Sequence, residues 1–267
     1  MNKLELQKIS KELRRDIIES ISKAGSGHPG GALSVIDIVT YLYFEKMNIS
    51  VDKMKDKERD IFVLSKGHAA PAQYVALAKK GFFDREELWN LRKTGAILQG
   101  HPCKDKCPGV EVSTGSLGQG LSNGCGIALG KKMDNLKGNV YVVLGDGEIQ
   151  EGIVWETAMS AAMFKLNNLV AIVDKNNIQL DGRTSEIMNV DSLEEKWKGF
   201  GWNVISCDGH DFEDLDRSFN NLSEDKPTVI IANTIKGKGV SFMEDNVAWH
   251  GMAPNAEETK QALEELN

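Results

Sequence analysis

The chain has 267 residues, 41% of them hydrophobic, which suffices for one compact core spanning residues 1–267. A formal charge of −7 speaks against a nucleic-acid or anionic-membrane partner, and it requires any phosphate site to be built locally. No apolar run approaches the ~18–20 residues that cross a bilayer. The Lys- and Glu-rich start lacks a signal-peptide core, and Cys103, Cys107, Cys125 and Cys207 form no disulfide framework, so a cytoplasmic protein is expected.

In chain order, residues 3–22 predict an amphipathic helix, with Leu4, Ile9, Leu13, Ile17, Ile18 and Ile21 near helical spacing. The break Gly25-Ser26-Gly27-His28-Pro29-Gly30-Gly31 separates it from a second helix at about 32–46. Short β-branched runs follow at Ile61–Leu64, Val140–Leu144, Leu169–Val173, Val204–Cys207 and Val229–Ala232, the pattern of strands buried on both faces. Helices are predicted between and after them, at about 69–80, 84–92, 118–134, 151–165, 211–221 and 255–266. Such alternation predicts an α/β fold, a parallel sheet with helices on both faces. Ligands of such sheets sit beyond the carboxyl ends of the strands. Four loops meet there: Ser65-Lys66-Gly67-His68, Gly145-Asp146-Gly147-Glu148, Asp174-Lys175-Asn176-Asn177 and Thr234-Ile235-Lys236-Gly237.

Gly145-Asp146-Gly147 ends a buried strand and leads toward the helix at 151–165, whose N-terminus offers N–H donors to an anion. A carboxylate there repels bare phosphate unless a cation lies between, and Mg²⁺ prefers such oxygen ligands, with calcium or manganese as substitutes. Asn176, thirty residues on, supplies an amide oxygen, and Ile178 a carbonyl. Singly, Asp146 reads as a helix cap and Asn176 as a turn residue. Together the two segments resemble the fingerprint of thiamine diphosphate enzymes.

Further segments narrow the resemblance to the transketolases: Ser26-Gly27-His28-Pro29-Gly30, Ser65-Lys66-Gly67-His68, Gly100-His101-Pro102, Ser113-Thr114-Gly115-Ser116-Leu117-Gly118-Gln119-Gly120, Trp249-His250-Gly251 and the stretch from Asp146 through Gln150-Glu151-Gly152. They run in order over essentially the whole chain. The resemblance implies a thiamine diphosphate-binding domain in which Asp146, Asn176 and the Ile178 carbonyl hold the metal. It implies that His68 and His250 meet the diphosphate, with Gly147 offering its backbone N–H and Glu148 beside it. Gly115, Leu117, Leu180 and Ile235 would lie against the cofactor rings, and Lys236 near them. His28, His101 and His250 would face the sugar hydroxyls and shuttle protons, a task suited to imidazoles that titrate near pH 6–7. Glu151 and Glu156 resemble family glutamates buried where two cofactor sites communicate, although Glu151 also suits the first turn of its helix. His210 is assigned a structural place at a loop or helix start. His101, Cys103 and Cys107 suggest a soft-metal site but supply only three ligands, so loop cysteines are the better reading.

In the resembled family a second domain brings the glutamate that activates the aminopyrimidine, the aromatic residues that stack on it, and the arginines that bind sugar phosphate. None is present here. The resemblance therefore implies the N-terminal subunit of a split transketolase of pentose phosphate metabolism, a transferase active only with a separate C-terminal subunit, in an α2β2 heterotetramer. Two competing readings are the diphosphate-binding α-subunit of a thiamine-dependent 2-oxo-acid dehydrogenase, which has no need of four histidines, and a non-catalytic interaction module of the same fold. A deoxyxylulose phosphate synthase type is disfavoured by Gln150-Glu151-Gly152.

Overall fold

A computed structural model describes residues 1–267. Helix α1 (Lys3–Ala24) opens with a reciprocal cap between Asn2 and Glu5 and ends at left-handed Gly25. Leu6, Leu13, Ile17, Ile18 and Ile21 form its buried stripe, whereas Leu4, expected in that stripe, is exposed. Helix α2 (Pro29–Tyr41) starts at a proline, before the predicted boundary, and passes into a π-helical turn at Leu42–Lys46. Every residue of α2 is buried, because it is covered by α1, by helix α3 (Ala70–Lys79) and by the sheet.

Strand β1 (Ile61–Leu64) precedes α3; helix α4 (Gln119–Met133), β2 (Val140–Gly145), α5 (Gly152–Met163) and β3 (Leu169–Lys175) follow. The chain continues through α6 (Thr184–Ile187), α7 (Leu193–Gly199), β4 (Asn203–Asp208), α8 (Phe212–Phe219), β5 (Thr228–Asn233) and α9 (Ala256–Glu265). The five strands form one parallel sheet in the order β1-β2-β3-β5-β4.

Successive strand residues point to opposite faces. Phe62, Leu64, Tyr141, Val143, Val170, Ile172 and Ile230 join the core under α1, α2, α3 and α8. Ile61, Val63, Val140, Val142, Leu169, Ala171 and Val229 join the core under α4, α5 and α7. The expected two-sided parallel sheet is what the chain forms.

Four local expectations are corrected. The predicted helix at 84–92 is a 3₁₀ turn, Arg85–Asn90, stopped by the left-handed backbone of Arg92. Helices α6 and α7 lie in a stretch where none was expected, and in α7 only Leu193 and Trp197 are buried, too short a stripe to reveal a period. Strand β4 is not buried on both faces: Val204 and Ile205 are half-buried and Ser206 exposed, because β4 is the edge strand outside β5. Finally, α5 begins at Gly152, separated from Gly147 by a 3₁₀ turn at Glu148–Gln150, so Asp146 does not open the helix directly.

Candidate cofactor site

Register sets the site. Gly145 of β2 pairs with Asp174 of β3, and Asp174 with Ala232 of β5, so the three following loops leave the sheet at one level. They wall a cleft of about 420 Å³ beyond the carboxyl ends of the strands, together with residues of the α1–α2 junction, the loop after β1 and the segment around Trp249. Gly30 is what lets that last segment close in, since a Cβ there would stand 2.8 Å from the Trp249 carbonyl.

Asp146, Asn176 and Ile178 all line this cleft. The Asp146 carboxylate is buried and accepts only backbone N–H groups, from Gly147 at 2.9 Å and from Asn177. The Gly147 N–H expected to face a diphosphate is thus engaged by its neighbour. Burial, and then the nearby Asp174 charge, push the Asp146 carboxyl up to about 6. The Asn176 amide nitrogen donates to Asp174 and Ser34, both at 3.3 Å, and its oxygen accepts the Ile178 N–H at 3.1 Å. The Ile178 carbonyl accepts from the Lys236 ammonium at 3.0 Å.

Under this group lies a pair that the sequence reading did not single out. The Lys66 ammonium and the Asp174 carboxylate form a fully buried ion pair, and Ser34 and Thr234 donate to the same carboxylate. Burial favours the neutral acid, but Lys66 and these donors hold Asp174 below its ordinary value. The one available signal is a lysine two residues after an all-apolar strand.

Three of the four histidines assigned to the site converge. The rings of His28, His68 and His250 stand 5.2, 5.5 and 5.4 Å apart, and all line the cleft. Burial, with neighbouring cations, lowers His28 to about 4, His250 to about 3 and His68 well below its ordinary value. They do not titrate near pH 6–7 as the sequence reading expected: desolvation and Lys66 or Lys236 keep them neutral. A neutral imidazole both donates and accepts, and the buried Nδ1 of His28 has no partner within the chain. Lys236, drawn down to about 8 chiefly by burial, donates to His250 Nδ1 at 2.7 Å, which leaves the ring proton on Nε2.

Gly115, Leu117, Gly147, Leu180 and Lys236 line the cleft, Leu180 largely exposed at its mouth. Glu148 also lines it, but its carboxylate is turned to the protein, accepting the N–H groups of Gly118 at 2.8 Å and Gly145 at 2.9 Å and the Ser65 hydroxyl. It ties three loops together. His101 is exposed and stands beside Gly115, outside the cleft wall. Ile235 is likewise not in the wall; its N–H is held by His210. Glu151, the N-cap residue of α5, lines the cleft, and both it and Glu156 are exposed in the single chain rather than buried. No set of His, Cys, Asp and Glu converges as a metal site, so His101, Cys103 and Cys107 do not form one. Cys107 is buried, bonded to the Pro108 carbonyl, and pushed up to about 12 by burial.

No helix is long and apolar enough to cross a membrane. Residues 6–267 match the family described as transketolase, thiamine diphosphate binding domain. The chain is 45% identical over 266 residues to an apulose-4-phosphate transketolase chain of Phocaeicola vulgatus, itself one subunit of its enzyme, covering 99% of this chain and 94% of that one. It is 43% identical over 265 residues to a 6-deoxy-6-sulfo-D-fructose transketolase subunit of Clostridium sp., covering 98% and 96%. The crystal structure of transketolase from Campylobacter jejuni superposes with a TM-score of 0.93 at 33% identity, over all of this chain and 43% of that chain. The chain therefore spans about two-fifths of the solved transketolases it matches.

Proposed function

Because the chain belongs to the transketolase family, as its thiamine diphosphate-binding domain, we propose that residues 1–267 act as the cofactor-holding subunit of a split transketolase. Its task is to hold Mg²⁺–thiamine diphosphate while a two-carbon ketol unit passes from a ketose phosphate to an aldose phosphate.

The donor chemistry fits the metal. Asp146, Asn176 and the Ile178 carbonyl offer one carboxylate and two neutral oxygens from adjacent loops, a hard set suited to Mg²⁺, Ca²⁺ or Mn²⁺ and completed by phosphate oxygens. The polar wall of His68, Gly147, Lys236 and His250 suits the diphosphate, and Gly115, Leu117 and Leu180 suit the rings. When bound, the coenzyme supplies the thiazolium carbon that makes and breaks the carbon–carbon bond. The chain's own part is positioning and proton handling. His28, neutral at pH 7 and with an unpartnered Nδ1, accepts a proton from one sugar hydroxyl and returns it to another, while His250, its lone pair held by Lys236, donates from Nε2. His101, exposed at the rim, reaches the sugar only from outside the wall.

A separate partner chain is supported by the relatives that are themselves transketolase subunits, and the cleft leaves work for it. Its wall carries no arginine; Lys66 is committed to Asp174, and Lys236 to Ile178 and His250. We assign the sugar phosphate and the aminopyrimidine to a separate C-terminal subunit, in an α2β2 heterotetramer that would cover Glu151 and Glu156. The observation carrying this reading is that Asp146, Asn176 and Ile178 line one cleft with three close-packed neutral imidazoles. Ketol transfer, assayed for the chain alone and mixed with the complementary chain, tests it. The mixture is active and the chain alone is not; robust transfer by the chain alone overturns the two-subunit reading. Calorimetry with Mg²⁺ and thiamine diphosphate tests the site itself.

A further inference from the structure

Ile235 and Lys238 bracket the lysine of the cleft, and both are tied to one buried polar cluster outside the cleft wall. The Ile235 N–H donates to His210 Nε2 at 2.9 Å, and Arg14 Nε donates to the Lys238 carbonyl at 3.0 Å. Both side chains end on Asp37: His210 Nδ1 lies 2.7 Å from Asp37 Oδ2, and the Arg14 guanidinium bonds both carboxylate oxygens, at 2.9 and 2.6 Å. The side chains of Asp37, Arg14 and His210 are only 7%, 9% and 13% exposed.

A backbone amide can only donate, so Nε2 of His210 carries a lone pair. The ring proton is then on Nδ1, where Asp37 accepts it. His210 is a neutral bridge with a donor at one end and an acceptor at the other. The segment between is pinned at every step: the Lys236 carbonyl accepts the Asp245 N–H at 2.9 Å, and the Gly237 N–H donates to Gly30 at 3.0 Å. Gly237 itself has φ +79°, and a Cβ would sit 2.2 Å from the Met243 carbonyl, so the turn admits only glycine.

We propose that His210, with Asp37 and Arg14 behind it, is a positioning residue that sets where Lys236 stands over the metal and diphosphate site. This rests on the function proposed above. His210 touches neither cofactor nor sugar; it acts through the Ile235 amide on the backbone of the next residue.

Two substitutions separate the ends of the bridge. In His210→Asn the side-chain amide still donates to Asp37 but falls short of Ile235; in His210→Gln an amide oxygen stands where Nε2 stood. Amide hydrogen exchange on the full chain is expected to speed up at Ile235 by at least about fivefold in H210N, the worth of one lost hydrogen bond, and to stay near wild type in H210Q. In the two-chain enzyme, KM for thiamine diphosphate should rise in H210N with kcat at saturating cofactor held, and H210Q should restore it. Unchanged Ile235 exchange in H210N overturns the bridge. Faster exchange with an unchanged KM overturns its role toward Lys236. A wild-type complex that binds no thiamine diphosphate with Mg²⁺ defeats the functional reading instead, and the exchange result still decides the bridge.

Discussion

Two buried aspartates, Asp37 on α2 facing Arg14 of α1 and Asp146 at the strand ends, are 5% and 3% exposed and are pushed in opposite directions. Burial works to raise both. At Asp37 the Arg14 charge and the His210 bond outweigh it, and the carboxyl is held far below its ordinary value. At Asp146 only two backbone N–H groups answer, and the carboxyl rises to about 6. The same side chain at the same depth is a structural tie where the chain supplies its cation, and in the proposed function a metal-binding group where the chain supplies none directly.

The comparison can be broken by substitution. Asp37→Ala strands the Arg14 guanidinium and should lower unfolding free energy by about 3–5 kcal/mol, measured by urea denaturation. A loss under 1 kcal/mol would mean that the cluster is not what ties α1 to α2. Asp146→Ala should leave the chain folded but weaken Mg²⁺-dependent binding of thiamine diphosphate by at least about 100-fold in calorimetry. Unchanged binding removes Asp146 from the site.

Asp146→Asn sharpens the contrast, because it should stabilise the chain. The folded carboxyl sits at about 6 against 3.8 ordinarily, so its ionisation opposes folding: its contribution is intact below pH 4 and is lost as pH rises through 6. The variant should gain roughly 1–3 kcal/mol at pH 7.5 and nothing near pH 4. Metal binding has the opposite pH sign, since the cation takes the deprotonated form. Affinity should be level above pH 7 and fall about tenfold per unit below pH 6. The smallest effect is expected at Glu151→Ala and Glu156→Ala, where exposure in this chain limits the stability change to about 0.5 kcal/mol, read from melting curves.

The strands, most of the helices and the metal and histidine loops were legible because each carries a local signal. β-branched runs mark strands, apolar residues at helical spacing mark α1, and Gly-Asp-Gly followed thirty residues later by Asn-Asn marks a rim. What escaped lacked such a signal. The short α7 buries two residues, β4 shows the same letters as an inner strand, and Lys66 is marked only by its place just after an all-apolar strand. Four histidines in glycine-bracketed loops looked alike, yet three meet in the cleft and His101 stands outside it.

From sequence alone followed a parallel α/β sheet and the rim of loops in which Asp146, Asn176 and Ile178 come to line one cleft, because periodicity and spacing along the chain suffice for these. Tertiary structure decided the charge states and the ties: the neutral imidazoles, the Lys66–Asp174 pair, the inward turn of Glu148, and the bridge from Asp37 through His210 to Ile235. Those depend on desolvation and on partners up to 173 positions apart in the chain, as Asp37 and His210 are, and such distances are settled only when the chain has packed.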